Sequence, residues 1–397
     1  MQALEGLKVL DLSRVLAGPW CTQTLADLGA DVWKVESPQG GDDTRTWMPP
    51  EVNGESTYFL CCNRSKRSIA VNFRDPEGQQ LIRDMAAKAD VVVENFRKGA
   101  LERFGLGYED LSAINPRLVY CSISGYGRAG IRSEEAGYDF AIQAESGLMS
   151  ITGEVDGEPM KLGVAISDIV AGMNAVQAIL AALLAREKTG KGQLIDIALL
   201  DGSVSLLANV ATGYLATGNA PRRYGNAHGS ISPYQVFSSS DGSFAVAVGN
   251  DSQFRAMCSQ VIGKPELADD PRFSTSRARA THREDLVPLL DAVFRTRTKA
   301  DWIEAFKRAG VPAGLIRTVP EVFSAPEVAE RNLFVEIEDD RMGSLRLPAS
   351  PLALRGTPPR PPSMPPRLGE HTDELLEEVL GLDGERCAAL RRKGSVA

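Results

Sequence analysis

Residues 8–36 read KVLDLSRVLAGPWCTQTLADLGADVWKVE. Residues 8–12 form a short apolar run, and Gly18–Pro19 punctuate the turn after it. An apolar-periodic segment then reaches about Leu28, and Asp31–Glu36 reads as a second strand. Strand, helix and strand at this spacing make a βαβ unit. The cycle repeats at residues 68–72, at a helix opened by Asp75-Pro76-Glu77-Gly78, and at residues 90–94. Residues 118–122 follow after two short helical patterns. Pro76 falls where helices tolerate proline, in the first turn. The expected class is α/β with a mainly parallel sheet.

Residues 171–186 (AGMNAVQAILAALLAR) are apolar around most of their circumference, which predicts a largely buried helix. Residues 189–192 (TGKG) stop it, residues 193–199 are the next strand, and another helix spans 202–215. Beyond residue 216 the character changes. Residues 217–229 are polar and rich in Gly, Asn and Arg, as suits a crossing between domains. Residues 234–237 and 244–248 then form a hairpin about Ser240-Asp241-Gly242. Helical patterns at 251–262, 284–296 and 300–309 make a smaller α+β domain. Short strands at 335–337 and 344–347 precede residues 358–366, where six of nine residues are proline. That run is an extended strap, and one final helix lies around 373–380. The expected division is a large domain over 1–216, completed by about 335–397, and a small domain over 230–330. Residues 217–229 and 320–366 are the crossing segments.

Composition narrows the function. At roughly 150 residues per domain, 397 residues suit two domains. The charge sum, 44 − 52 = −8, argues against a nucleic-acid partner. Six cysteines without CxxC spacing suit a reducing cytoplasm. No basic leader followed by an apolar stretch opens the sequence, and residues 178–185 are the longest apolar run. Secretion and a membrane partner are therefore not expected. Neither GxxxxGK[ST] nor GxGxxG is present, which disfavours a P-loop and NAD. The three histidines, His228, His282 and His371, are too scattered for a metal site. His282 and His371 read as surface residues, whereas His228, among small flexible neighbours, suits a site.

Asp168, just ahead of the Ala-rich helix, is the most informative residue. Its simplest role is an N-cap, worth ~1 kcal/mol. Beside a core helix, however, a desolvated carboxylate must be held by N–H donors and the helix dipole. Such donors keep it ionised and stabilise an oxyanion beside it, which makes it a candidate nucleophile. Asp139, after Gly137-Tyr138, reads first as the cap of its own helix. Residues 63–67 (NRSKR) and 94–99 (ENFRKG), each taken alone, read as solvated charged turns.

Taken together, these segments resemble the family III CoA-transferases over nearly the whole chain. The markers are Arg14-Val15-Leu16-Ala17-Gly18-Pro19, Gly29-Ala30-Asp31-Val32, residues 63–68, Asn95-Phe96, Gly137-Tyr138-Asp139 and Asp168-Ile169-Val170-Ala171-Gly172. Residues 41–47, 55–58 and 227–235 point to the branch that moves CoA from succinyl-CoA to dicarboxylic acids such as glutarate. The resemblance implies a Rossmann-like large domain, a smaller domain and an interlocked homodimer. It places the nucleophile on Asp168. It places CoA against Ala17, Val71, Asn72, Phe73, Arg74, Asn95, Phe96, Arg97, Arg103, Phe104, Tyr138 and Asp139. CoA enters as substrate, and no cofactor or metal is expected. Leu16, where the formyl-CoA branch has glutamine, and residues 225–229, where that branch has a glycine lid, make oxalate a less suitable acceptor. Tyr138 replaces the histidine of the related racemases, and a phenol of pKa ~10 is a poor base. Arg45, Arg222, Arg223 and His228 are candidates to hold the far carboxylate of a dicarboxylic acid. Two other readings stand beside transfer: an acyl-CoA racemase or isomerase, and a CoA-binding protein without turnover.

Overall fold

The computed structural model describes residues 1–340 and 342–397. The chain divides into a larger unit (1–148, 162–212 and 326–397) and a smaller one (149–161 and 213–325). The main sheet of the larger unit has six strands: β1 (Lys8–Asp11), β2 (Asp31–Glu36), β3 (Arg67–Ala70), β4 (Val91–Glu94), β5 (Val119–Ser124) and β6 (Leu194–Ala198). They lie side by side in the order β3-β2-β1-β4-β5-β6, and every neighbouring pair is parallel. The order reverses beside β1, and open α/β sheets take ligands at the carboxyl ends of the strands flanking such a reversal.

Both faces of the sheet are covered, so its strands are near-continuous apolar runs. Leu10, Trp33, Ile69 and Val92 pack on one side with Leu81, Ile82 and Met85 of α2 (Pro76–Ala86). Val9, Val32, Val91 and Val93 pack on the other with Cys21 and Leu25 of α1 (Ala17–Asp27). Adjacent residues serve opposite faces because the side-chain period of a strand is two. Asp75 caps α2 by accepting from the Gly78 N–H at 3.1 Å, and Pro76 sits in its first turn as expected.

Three helices differ from the sequence reading. The Ala-rich helix, α4 (Ile166–Thr189), comes after α3 (Asp139–Glu145) and starts five residues earlier than expected. It is not buried all round: Ala171, Ala175, Ile179 and Ala182 enter the core, while Met173 and Leu184 face outward. Its 24 residues are long and apolar enough to cross a bilayer, but its inner stripe is part of the sheet's core. The helix expected over 202–215 is two, α5 (Leu199–Ser205) and α6 (Ala208–Thr217), broken at Ala208 by a positive φ of 41°. A second C-terminal helix, α8 (Gly384–Lys393), follows α7 (Thr372–Leu380). It was missed because its sequence is mostly polar, although Asp383 caps it and Gly394 ends it.

The C-terminal segment completes the larger unit. Ala397 N–H donates to Ala70 O at 3.1 Å and Asn72 N–H to Ser395 O at 2.9 Å, which covers the β3 edge. The proline-rich strap runs along the same unit: Arg360 N–H donates to Asp27 O at 2.8 Å, and Ser65 N–H to Ser363 O at 3.1 Å. In the smaller unit, β7 (Tyr234–Ser239), β8 (Gly242–Ala247) and β9 (Ala313–Leu315) form an antiparallel sheet. The expected hairpin turn is there, at Ser240-Asp241. Its core centres on Phe294, which meets Phe237 at 5.0 Å, Trp302 at 5.2 Å and Phe244 at 5.3 Å between ring centroids.

Candidate active site

The loop between β1 and α1 is held from below by buried charge. Lys34, in the middle of β2, donates to Ser13 O at 3.0 Å and to Asp42 Oδ2 at 2.9 Å. Lys66 donates to Pro19 O at 3.0 Å, Asn63 Oδ1 at 2.9 Å and Asp11 Oδ2 at 3.1 Å. Asp11 also accepts from the hydroxyls of Thr22 and Ser13. Both lysine side chains are fully buried. Asn63, Arg64, Ser65 and Lys66 are all buried, so NRSKR is not a solvated turn. Each of its polar groups has a fixed partner, the condition under which burial of charge is tolerated.

The loop so held is strained. Val15 takes φ of 70°, costly for a β-branched residue. Its N–H reaches Asp42 Oδ1 at 3.1 Å, and Asn95 brackets Arg14 by accepting from its N–H (2.9 Å) and donating to its carbonyl (2.6 Å). A Cβ on Gly18 would lie 2.2 Å from Ser13 Cβ, so only glycine lets α1 begin this close to the loop.

Above the loop opens a cleft of about 410 Å³ at the carboxyl ends of β1 to β4. Among the predicted CoA contacts, Asn72, Phe73, Arg74, Phe96, Arg103 and Phe104 line it. Phe73 and Phe96 lie 6.1 Å apart, and the Arg14 guanidinium sits 5.2 Å over the Phe96 ring. Arg74 and Arg103 are exposed there and form no ion pair among the described residues. Unengaged cations beside aromatic faces suit a phosphorylated nucleotide. Val71 is buried beneath the rim in a bridge to Val396, Asn95 acts on the loop, and Arg97 is exposed beside the cleft.

The loop's far end meets the head of α4. A Cβ on Gly172 would lie 2.7 Å from Ala17 O, so α1 and α4 touch through backbone. Asp168 is not the N-cap expected. Ala165 holds that position without a side-chain hydrogen bond, and Asp168 stands in the first turn, half-buried. Asp139 caps the helix instead: its Oδ1 accepts from Ser167 N–H at 2.8 Å. It does not cap its own helix α3, whose N-cap is Tyr138, an exposed residue. Burial first, and the Asp139 charge second, push the Asp168 carboxyl up to about 7. The expectation that N–H donors keep it ionised is not met: Asp139 takes the Ser167 N–H, and burial raises the Asp168 carboxyl. Tyr58 shares the setting: burial and the Asp168 charge raise its phenol.

The candidate acceptor residues are differently engaged. Arg45 donates twice to Glu36, at 2.7 Å each, and once to Pro366 O at 3.0 Å, with its guanidinium 3.7 Å over Phe59. Arg222, Arg223 and His228 belong to the smaller unit. Arg223 ties the 150–157 segment through Glu154 O (3.0 Å) and Gly157 O (2.6 Å), and Arg222 stacks over Tyr224 at 4.9 Å. His228 Nδ1 accepts from Ser230 N–H at 3.0 Å. His282 is exposed as expected, but His371 is half-buried and its Nδ1 accepts from Ser68 N–H at 3.2 Å. The sequence reading missed Lys34 and Gln143, and took Lys66 for part of a solvated turn; a lysine inside an otherwise apolar strand, VWKV, was the available signal for Lys34.

The sequence pattern of CoA-transferase family III matches residues 4–372. A mouse (Mus musculus) succinyl-CoA:glutarate CoA-transferase is 46% identical over 383 residues, 96% of this chain and 88% of its own. A succinate–glutarate CoA-transferase of Agrobacterium fabrum is 45% identical over 95% of both chains. The crystal structure of a CAIB/BAIF family protein from Brucella suis superposes with a TM-score of 0.85 at 48% identity, covering 95% of this chain and 99% of that one.

Proposed function

The chain belongs to CoA-transferase family III and is an enzyme, and from that premise we propose that it moves CoA from succinyl-CoA to a dicarboxylic acid such as glutarate through Asp168. The substrate pair rests on the relatives named for it, which this chain matches at 45–46% identity. The role of Asp168 rests on one observation: it is a withdrawn carboxylate in the first turn of α4, with no cation beside it among the described residues. An ionised carboxylate without a counter-ion is a stronger nucleophile than one neutralised by a salt bridge.

The steps balance as four acyl transfers. The Asp168 carboxylate attacks the succinyl-CoA thioester, forming a mixed anhydride and releasing CoA thiolate. The thiolate attacks the aspartyl carbonyl, giving an aspartyl-CoA thioester and free succinate. The acceptor carboxylate attacks that thioester, forming a second anhydride and thiolate. The thiolate then takes the acceptor acyl group and restores Asp168. The thioester's energy is retained throughout because no step admits water.

CoA lies in the cleft with its phosphates toward Arg14, Arg74 and Arg103 and its thiol end toward Asp168, along the 14–17 loop. The active form is a homodimer: α6 is apolar in composition yet buries no residue within its own chain, and Leu215 is 81% exposed. Six free thiols, most of them buried, support a cytoplasmic setting. Incubation with succinyl-CoA and hydroxylamine is expected to convert Asp168 to its hydroxamate, located by peptide mass spectrometry. Normal transfer by a folded Asp168→Ala variant would overturn the assignment.

A further inference from the structure

Gln143 is fully buried on α3, and each of its amide atoms is committed. Its Nε2 donates to Asp139 Oδ2 at 2.8 Å and to Val164 O at 3.3 Å, and its Oε1 accepts from Leu162 N–H at 2.9 Å. A buried amide is stable only when so satisfied, and here its partners converge on one place. Val164 and Leu162 belong to the segment leading into α4, and Asp139 in turn caps that helix at Ser167. Ser167 is also fixed by the Ser203 hydroxyl, at 2.8 Å and out of solvent. The turn carrying Asp168 is thus fastened at residues 162, 164 and 167, and two of those ties run directly through one glutamine.

We propose that Gln143 is a positioning residue for the nucleophile: it orients the Asp139 carboxylate onto the head of α4 and fixes the entering segment, so that Asp168 faces the thioester carbonyl. The proposal rests on Asp168 being the acyl acceptor. Gln143 touches no reacting atom; it acts through Asp139 and the backbone. Asp139 is the charged neighbour that raises Asp168, and Asp168 in turn raises Tyr58, so a change in the orientation or charge of Asp139 registers in the Asp168 titration.

The test uses the full-length enzyme with succinyl-CoA and glutarate. Gln143→Met keeps the volume and removes the donors and acceptor. It is expected to lower kcat on the order of 10- to 100-fold, the cost of a misplaced reacting group, with KM for succinyl-CoA within about twofold. Gln143→Glu sets a second carboxylate against Asp139, and the acid limb of its kcat profile is expected to move to higher pH. Asp139→Asn, at a half-exposed site that keeps the shape, is expected to move that limb to lower pH. Opposite displacements in the two variants support the proposal, as does a kcat loss without a KM change. Wild-type kcat and an unmoved pH profile in the variants that fold, while wild-type enzyme still yields the Asp168 hydroxamate, would overturn it alone. Absence of that hydroxamate from wild-type enzyme would overturn it together with the acyl-acceptor role.

Discussion

Two groups of carboxylates in the larger unit have left bulk water, and their surroundings drive them in opposite directions. Beneath the cleft, burial alone favours neutral acids, yet Lys34 and Thr44 hold Asp42 down to about 2. Lys66 and Lys34 likewise keep Asp11 below its ordinary range, and Arg45 does so for Glu36. At the head of α4 the same burial goes uncompensated, and a neighbouring acid adds to it, so Asp168 rises to about 7. A saturated network builds a rigid floor under a strained loop. An unsaturated pair leaves one carboxylate poorly stabilised as an anion, hence ready to share its electrons. Asp42, Asp11 and Glu36 are held low beside cations, whereas Asp168, with no ion pair among the described residues, is raised.

Changes that cross this divide show how firm it is. The largest effect is expected from Asp168→Asn, which removes the proposed nucleophile and should lower transfer at least about 10³-fold in the succinyl-CoA and glutarate assay. Next comes Lys66→Met, which takes from buried Asp11 the cation hydrogen-bonded to it; urea denaturation should show a loss of about 3–5 kcal/mol. Asp168→Asn has a second consequence, in stability. The native carboxyl titrates above its unfolded value, so its ionisation destabilises the fold as pH rises from about 4 through 7. The variant should melt with the wild type at pH 4 and be more stable at pH 8, by about 1–2 kcal/mol after solvent screening. Asp42 follows the reverse rule: its stabilisation is complete above its unfolded value and is lost as pH falls through about 2. The smallest effect is expected at the rim, where Arg74→Gln should raise KM for succinyl-CoA roughly tenfold at low salt and less at high salt.

Much of the frame was legible in the sequence. Runs such as VVVE and the Asp75-Pro76 helix start signal strand and cap locally, and the structure places them within a residue or two. The desolvated setting of Asp168 was also legible, because an acid at the start of an apolar helix conflicts with its surroundings. The actual cap of α4 was not, since Asp139 lies 28 residues before Ser167 and meets it only in the tertiary fold. The buried face of NRSKR was hidden for the same reason. Its partners come from β1, α1 and the strap, and a charged pentapeptide carries no local sign that such partners exist. The polar helix α8 escaped because its apolar face is only two buried residues wide, Cys387 and Leu390.

Lys34 and Lys66 have one more consequence, for how copies of this protein can be counted. Their amines are fully shut away from solvent in the folded chain. An amine-reactive tag applied briefly under native conditions would therefore mark these two positions only on molecules whose floor has opened. Their labelling, set against that of exposed lysines, would serve as an internal gauge of the unfolded fraction, with no residue of the chain altered beforehand.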